Sequence, residues 1–237
     1  MEKNFDALFM NPTKENRGYP FWAWNCKLDK EEVLAQVDYF REMGLGGFTI
    51  HARTGLDTEY LGEEFMEIVA AVVAKAKQYG MKAQLYDEDR WPSGFGGGAV
   101  TQEARFRKRK LVFSPDPYDP AKEHTTFLAR YAIVLENGYL KQYQRLTGSD
   151  VPSADETIWV AYLEISGDIP WFNSQSYVNT LDPKAMERFL ETTHEKYYAL
   201  LGQEFGTTIP SIFTDEPEFQ SKQFLRFADA KEEIALP

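Results

Sequence analysis

Short apolar segments alternate with longer amphipathic ones through the first hundred residues, and this alternation restricts the fold more than any other feature. Apolar strands are predicted at 20–25, 46–52 and 82–87. Helices are predicted between them, because apolar residues recur at helical spacing after Asp29 and over 63–79. Strands that alternate with helices of this length form right-handed βαβ units around a parallel sheet.

A segment of different periodicity follows the third strand. Apolar and polar residues alternate over 126–135, the chain turns at Asn137-Gly138, and another strand is predicted over 157–165. Strands of this kind, joined by tight turns, pair with antiparallel neighbours. The sequence therefore predicts a β-rich antiparallel insertion over 111–167.

The strand–helix pattern resumes after the insertion. A helix is predicted over 183–201 and a fourth parallel strand over 209–214, whereas the tail after 220 adds no clear fifth strand. Four strands are half of those in a (β/α)8 barrel, which usually needs about 250 residues. The predicted fold is therefore an α/β partial (β/α)8 TIM barrel, with three βα units over 1–110 and a fourth unit with the tail over 168–237.

Polar and aromatic side chains follow the predicted parallel strands, at the strand ends where α/β proteins carry their chemistry. In chain order they are Trp22, Trp24, Asn25, His51, Arg53, Asp87, Glu88, Asp89, Arg90, Asp215, Glu216 and Glu218. Trp91 follows in a glycine-rich loop, where its indole offers a flat apolar face. Carboxylates and amides suit sugar hydroxyls, and aromatic faces suit the C–H side of a sugar ring. The sequence therefore predicts a carbohydrate-binding rim.

Cleavage of a glycosidic bond uses two carboxyl groups, one as general acid and another as base or nucleophile. Glu216 is the first candidate, because it ends a buried strand and Pro217 restricts its backbone. Asp215 beside it is the second catalytic candidate. The consecutive acids at 87–89 alternate in direction, so one or two are expected to face the site while the others pair with nearby arginines.

Two other ligand classes are compatible with the same segments. The sequence Gly94-x-Gly96-x-x-Ala99 fits a permissive dinucleotide pattern, but it does not follow the strand directly and the adjacent acids would repel a pyrophosphate. Oxygen ligands such as Asp87 and Asp215 suit a hard cation, although no calcium-loop spacing is present. The metal is therefore left unassigned.

The charge balance bears on partners and location. Lys and Arg total 26 against 37 Asp and Glu, a formal net charge of −11, so an anionic partner would need a local basic cluster. The cluster at 105–110 lies at the end of a short helix predicted over 101–108 and is interpreted as a solvated helix end.

Cys26 is the single cysteine, and no apolar run reaches membrane-helix length. We expect a cytoplasmic protein without nucleic-acid or membrane partners, although a removed leader peptide would be invisible.

Four ordered motifs resemble the catalytic region of bacterial proteins related to glycoside hydrolase family 106, the α-L-rhamnosidase-like group. They are Pro20-Phe21-Trp22-Ala23-Trp24-Asn25, Gly47-Phe48-Thr49-Ile50-His51-Ala52-Arg53-Thr54-Gly55-Leu56, Leu85-Tyr86-Asp87-Glu88-Asp89-Arg90-Trp91-Pro92-Ser93-Gly94 and Phe213-Thr214-Asp215-Glu216-Pro217. The resemblance implies a (β/α)8 catalytic domain within a longer multidomain protein that acts on plant or bacterial glycans, with calcium reported for some relatives.

The same resemblance implies roles for individual residues. Glu216 matches the acid/base. The matched sugar-binding rim comprises His51, Arg53, Asp87, Glu88, Arg90 and Trp91. The second carboxylate of such barrels comes from a later strand, so we expect a catalytic fragment that is inactive alone. The alternative is a non-catalytic carbohydrate-binding barrel remnant. In either case the partner is an oligo- or polysaccharide, and the exposed edges of a half barrel favour self-association.

Overall fold

The computed structural model describes residues 5–218 and 234–236. These residues divide into two compact units, Met1–Val100 with Met186–Pro217, and Thr101–Ala185 with Glu218–Pro237. The boundaries predicted at 110 and 167, which separate the βα units of a partial barrel from the insertion, stay predictions.

The strands alternate with helices in the first unit and follow one another in the second. The strands are β1 (Phe21–Trp24), β2 (Gly47–Ala52), β3 (Lys82–Tyr86), β4 (Arg109–Ser114), β5 (Thr125–Glu136), β6 (Tyr139–Leu146), β7 (Thr157–Ile165), β8 (Ile212–Phe213) and β9 (Ile234–Leu236). The α-helices are α1 (Phe5–Met10), α2 (Lys30–Glu42), α3 (Glu63–Gln78), α4 (Pro183–Thr192) and α5 (His194–Leu201). The predicted mixed α/β class is therefore confirmed.

The first unit contains a four-stranded parallel sheet in the order β1-β2-β3-β8. Helix α2 begins where predicted, because the Asp29 carboxylate accepts the Glu32 N–H at 2.9 Å and caps the first turn. One face of the sheet packs against α2 and α3 in a cluster that includes Trp22, Trp24, Phe48, Val37 and Phe65. Burial of such side chains, at about 1.5–3 kcal/mol each, stabilises the unit and orients the strands that end at the site.

The opposite face of the parallel sheet is curled. Phe21 lies on β1 and Phe213 on β8, which are the two edge strands, yet their ring centroids are 5.1 Å apart. On a flat sheet, three strand spacings of about 4.8 Å would separate the Cα atoms of these residues by about 14 Å, so rings perpendicular to the sheet would not meet. The short ring separation therefore indicates that the sheet bends toward this face, which also carries His51 and Tyr86.

The second unit contains an antiparallel sheet in the order β6-β5-β7-β4-β9. The predicted hairpin is present, and its turn residues Asn137 and Gly138 have φ of 55° and 82°. Such positive φ values suit a short hairpin turn, which explains the Asn-Gly pair. The tail supplies β9, which pairs antiparallel with β4.

The helix predicted over 101–108 is wrong. Only a short 3-10 turn forms there, at Ala104–Phe106, and the basic cluster then enters β4. Backbone pairing with extended neighbours explains the difference, since the Lys108 N–H donates to the Tyr177 carbonyl at 2.7 Å and its carbonyl accepts the Ser166 N–H at 2.9 Å. The cluster is therefore not a solvated helix end.

Two other predicted elements are shorter than expected. The helix over 183–201 is interrupted at Thr193, whose φ of −122° and ψ of −76° lie outside the helical region and whose hydroxyl donates to the Phe189 carbonyl at 2.6 Å. The fourth parallel strand covers only Ile212–Phe213. Within the described parts of the chain, no helix is both long and apolar enough to cross a membrane.

Candidate functional site

The loop after β3 is built around the carboxylate of Glu88, which is fully buried. Its Oε2 accepts the backbone N–H groups of residues 94, 95 and 96 at 2.8–2.9 Å. Its Oε1 accepts the N–H groups of Asp89 at 2.9 Å and Gly97 at 2.6 Å. Gly94, Gly96 and Gly97 have positive φ, which glycine adopts without steric cost and which turns these amides inward. Glu88 therefore holds the loop in one shape.

Two opposing effects act on the ionisation of Glu88. Burial raises the pKa of this carboxyl group to about 8, whereas the backbone N–H donors lower it because they stabilise the charged form. All five donors point at the two oxygens, so a proton on either oxygen would face an N–H group. The hydrogen-bond geometry is that of an ionised carboxylate.

The occupied loop amides bear on the dinucleotide pattern. A pyrophosphate would need the same N–H groups that Glu88 already engages at Gly94 and Gly96. This geometry adds to the charge argument against a nucleotide at this loop.

Asp87 joins the loop to the fourth parallel strand. Its carboxylate is fully buried and accepts the Ser93 hydroxyl on Oδ1 and the Thr214 hydroxyl on Oδ2, both at 2.6 Å. His194 Nε2 lies 3.4 Å from Oδ2. Both oxygens are therefore engaged by the protein itself.

A pair of backbone contacts brings the ends of β3 and β8 together. The Ser93 N–H donates to the Asp215 carbonyl at 2.8 Å, and the Asp215 N–H donates to the Ser93 hydroxyl at 2.9 Å. Next to this double contact, the Trp91 indole Nε1–H donates to Glu216 Oε2 at 3.0 Å. Glu216 itself has φ of 42°, in the left-handed region that glycine prefers. The first catalytic candidate thus lies on an unusual turn fixed by the loop.

Asp215 points toward a buried histidine and tyrosine. The Tyr86 hydroxyl donates to Asp215 Oδ2 at 3.3 Å, and His51 Nε2 lies 4.0 Å from the same oxygen. The rings of His51 and Tyr86 are stacked with centroids 3.9 Å apart. Burial, and next the positive charge of Arg53, lower the pKa of His51, so its imidazole is neutral at pH 7. Burial raises the pKa of Tyr86, which therefore remains a neutral donor.

The remaining predicted rim residues fall into two groups. Trp24 is 2% exposed and lies in the apolar core, where its ring contacts Trp22 and Phe65. Arg90 donates through Nε and Nη2 to Asp89 Oδ2 at 2.8 and 2.7 Å, so this arginine is held within the loop. The exposed members of the predicted rim are Asn25, Arg53, Trp91 and Glu216.

Several residues of the network were not among the sequence-based candidates. They are Phe21, Tyr86, Ser93, His194, Phe213 and Thr214. Ser93 and Thr214 lie beside predicted candidates within the motifs, so the sequence indicated their proximity to the site. Nothing in the sequence indicated His194, because no spacing rule links a helix residue to a strand end that is distant in sequence. In the described ranges, no group of three or more His, Cys, Asp or Glu side chains is arranged to hold a metal ion.

Comparisons with known proteins give little further information. No family model matches the chain, and no curated protein matches it. Among solved structures, a rhamnosidase from Novosphingobium sp. PP1Y is similar with a TM-score of 0.41 and 14% sequence identity, over 56% of this chain and 15% of that chain. The chain thus spans a small part of that protein's length.

Proposed function

We propose that the chain forms the first half of a (β/α)8 glycoside hydrolase domain, with an antiparallel insertion between its third and fourth strands. The observation that carries the proposal is the position of Asp215 and Glu216 directly after the fourth parallel strand, joined by hydrogen bonds to the loop of the third. The curl of the sheet supports a barrel, because barrel closure requires the inner side chains of non-adjacent strands to meet.

Glu216 is the proposed acid/base of this domain. Its side chain is exposed, one oxygen accepts the Trp91 N–H, and Oε1 has no hydrogen bond to any residue of the described ranges. An oxygen in that state is available to give a proton to the leaving glycosidic oxygen, or to take one from water.

Asp215 is the proposed second catalytic group. Its side chain is 20% exposed and lies against Tyr86 and His51, so the carboxylate is oriented while still reachable. The two mechanisms of glycoside hydrolysis need carboxyl groups about 5 to 9.5 Å apart on opposite sides of the bond. If a later strand supplies the second carboxylate instead, Asp215 serves to orient the substrate.

The sugar contacts belong to the exposed rim. Arg53 and Asn25 offer donors for hydroxyl groups, and the Trp91 indole is 44% exposed. The proposed partner is therefore an oligo- or polysaccharide, with α-L-rhamnosides as the first class to test. Within the described residues β1 and β8 each pair on one side only, so self-association through these edges stays a prediction.

One observation favours a non-catalytic sugar-binding remnant as the second candidate. The side chains of Asp87, Glu88 and Asp89 are buried and accept hydrogen bonds from other groups of the protein. Few carboxylates at the strand ends are therefore available for catalysis. Such a domain would bind sugars without turnover.

A combined binding and hydrolysis assay distinguishes the two candidate functions. A panel of 4-nitrophenyl glycosides is incubated with the 237-residue chain and with a longer form of the protein that includes further strands. We expect saturable binding without turnover by the chain, and turnover by the longer form that Glu216→Gln lowers by about 10² or more. Binding without turnover in both forms selects the remnant, and absence of binding in both contradicts both candidates.

A further inference from the structure

The indole N–H group of Trp91 contacts a carboxylate, in addition to the partly exposed face that a sugar could meet. From the sequence, this side chain is expected to stack on a sugar, but its Nε1–H is directed at Glu216 Oε2 with a separation of 3.0 Å. An N–H donor stabilises a carboxylate more than a neutral carboxylic acid, because the charged acceptor forms the stronger hydrogen bond. The edge of the indole therefore interacts with the very group proposed to react.

Both partners are attached to the same rigid point. Trp91 lies two residues before Ser93, and Glu216 directly follows Asp215, so the double contact between Ser93 and Asp215 anchors each of them. The Glu88 carboxylate fixes the loop on both sides of Ser93, through the N–H group of Asp89 before it and four N–H groups over 94–97 after it. The indole and the carboxylate thus have little freedom to separate by backbone motion.

The backbone at Glu216 gives a second, independent observation. A φ of 42° is rare for a residue with a side chain and persists where the surrounding structure enforces it. On this turn the Glu216 carboxylate lies within hydrogen-bond distance of the Trp91 indole. Only Oε2 takes part in that contact, and the Glu216 side chain is exposed.

We propose that Trp91 is a positioning residue for Glu216: its indole N–H holds one carboxylate oxygen so that the other is presented to the substrate. This inference rests on the proposed function for its catalytic meaning, although the contact itself is testable without turnover. The indole face remains partly exposed and can still meet a sugar while the edge holds the carboxylate.

The test uses the chain labelled with ¹⁵N at its five tryptophans, so that each indole N–H group contributes one signal. Trp91→Phe identifies the Trp91 signal by deletion, and Trp171→Phe identifies that of Trp171, which is 41% exposed and serves as control. Spectra are recorded at pH 7. We expect the Trp91 signal to move in Glu216→Gln, because an amide oxygen accepts a weaker hydrogen bond from the indole N–H than a carboxylate oxygen does. The Trp171 signal should be unaffected by Glu216→Gln.

Two results would overturn the proposal. One is a Trp91 signal that stays in place in Glu216→Gln, and the other is an equal movement of the Trp171 signal, since the effect would then not belong to this contact. Melting temperatures of the variants show whether the fold is retained, and Glu216→Asp gives a second variant in which the shorter side chain should also move the Trp91 signal. Addition of methyl glycosides to the same samples tests sugar binding separately, so failure of the proposed function is distinguished from failure of this contact.

Discussion

Replacement of Glu216 by glycine should give a more stable protein than replacement by alanine. Both variants lose the hydrogen bond from Trp91, so that contribution cancels in the comparison. They differ in the backbone, because φ at this position is 42°. A left-handed conformation costs a residue with a Cβ about 1–2 kcal/mol, whereas glycine adopts it freely. Glycine in turn loses about 0.5–1 kcal/mol more conformational entropy on folding. The difference predicts that the glycine variant is more stable by roughly 0.5–1 kcal/mol.

The assay is urea unfolding followed by circular dichroism, with the melting temperature as a second measure. A difference of this size corresponds to about 1–4 °C for a chain of this length. The matched control is Glu187, an exposed residue inside α4, where alanine should be more stable than glycine by about 1 kcal/mol. If alanine is the more stable substitution at both positions, Glu216 carries no backbone strain and the argument from its conformation fails.

The remaining predictions concern two buried groups. The pKa of His51 is lowered in the folded state, so the unfolded chain binds more protons and the free energy of unfolding should fall as the pH is lowered below about 6.5. His51→Phe keeps a ring against Tyr86 and should reduce this fall, and an identical pH dependence in both proteins would contradict the assignment. Glu88→Gln turns an NH₂ group toward the loop amides and should lower the free energy of unfolding by roughly 2–3 kcal/mol at pH 9, above the carboxyl pKa of about 8. Glu187→Gln is the exposed control, and equal stability of both variants would show that Glu88 does not organise the loop.

The sequence predicts the parallel part of the fold well because its signals are local. Asp29 caps α2 as expected, and the Asn137-Gly138 turn closes its hairpin. The helix predicted over 101–108 fails because strand pairing with residues distant in sequence determines the backbone there. Local spacing contains no information about such partners, so tertiary contacts override it.

The same distinction applies to the candidate site. The order of strand ends identifies the segments that meet, including the contact between the loop of β3 and the end of β8. It does not reveal which acid faces outward. Asp87 and Glu88 are buried and accept hydrogen bonds from hydroxyl and amide groups, whereas Glu216 is exposed and lies on a turn with positive φ. These outcomes depend on loop geometry, which periodicity does not encode.

The most direct test of the proposed sugar site is a titration of the ¹⁵N-tryptophan-labelled chain with methyl glycosides, beginning with methyl α-L-rhamnoside. If the strand ends of the parallel sheet bind a sugar, the indole signal of Trp91 will move saturably with at least one glycoside, while that of Trp171 in the other unit stays in place. Movement of Trp171 with Trp91 unchanged, or no movement with any sugar of the panel, would contradict a carbohydrate site at these residues.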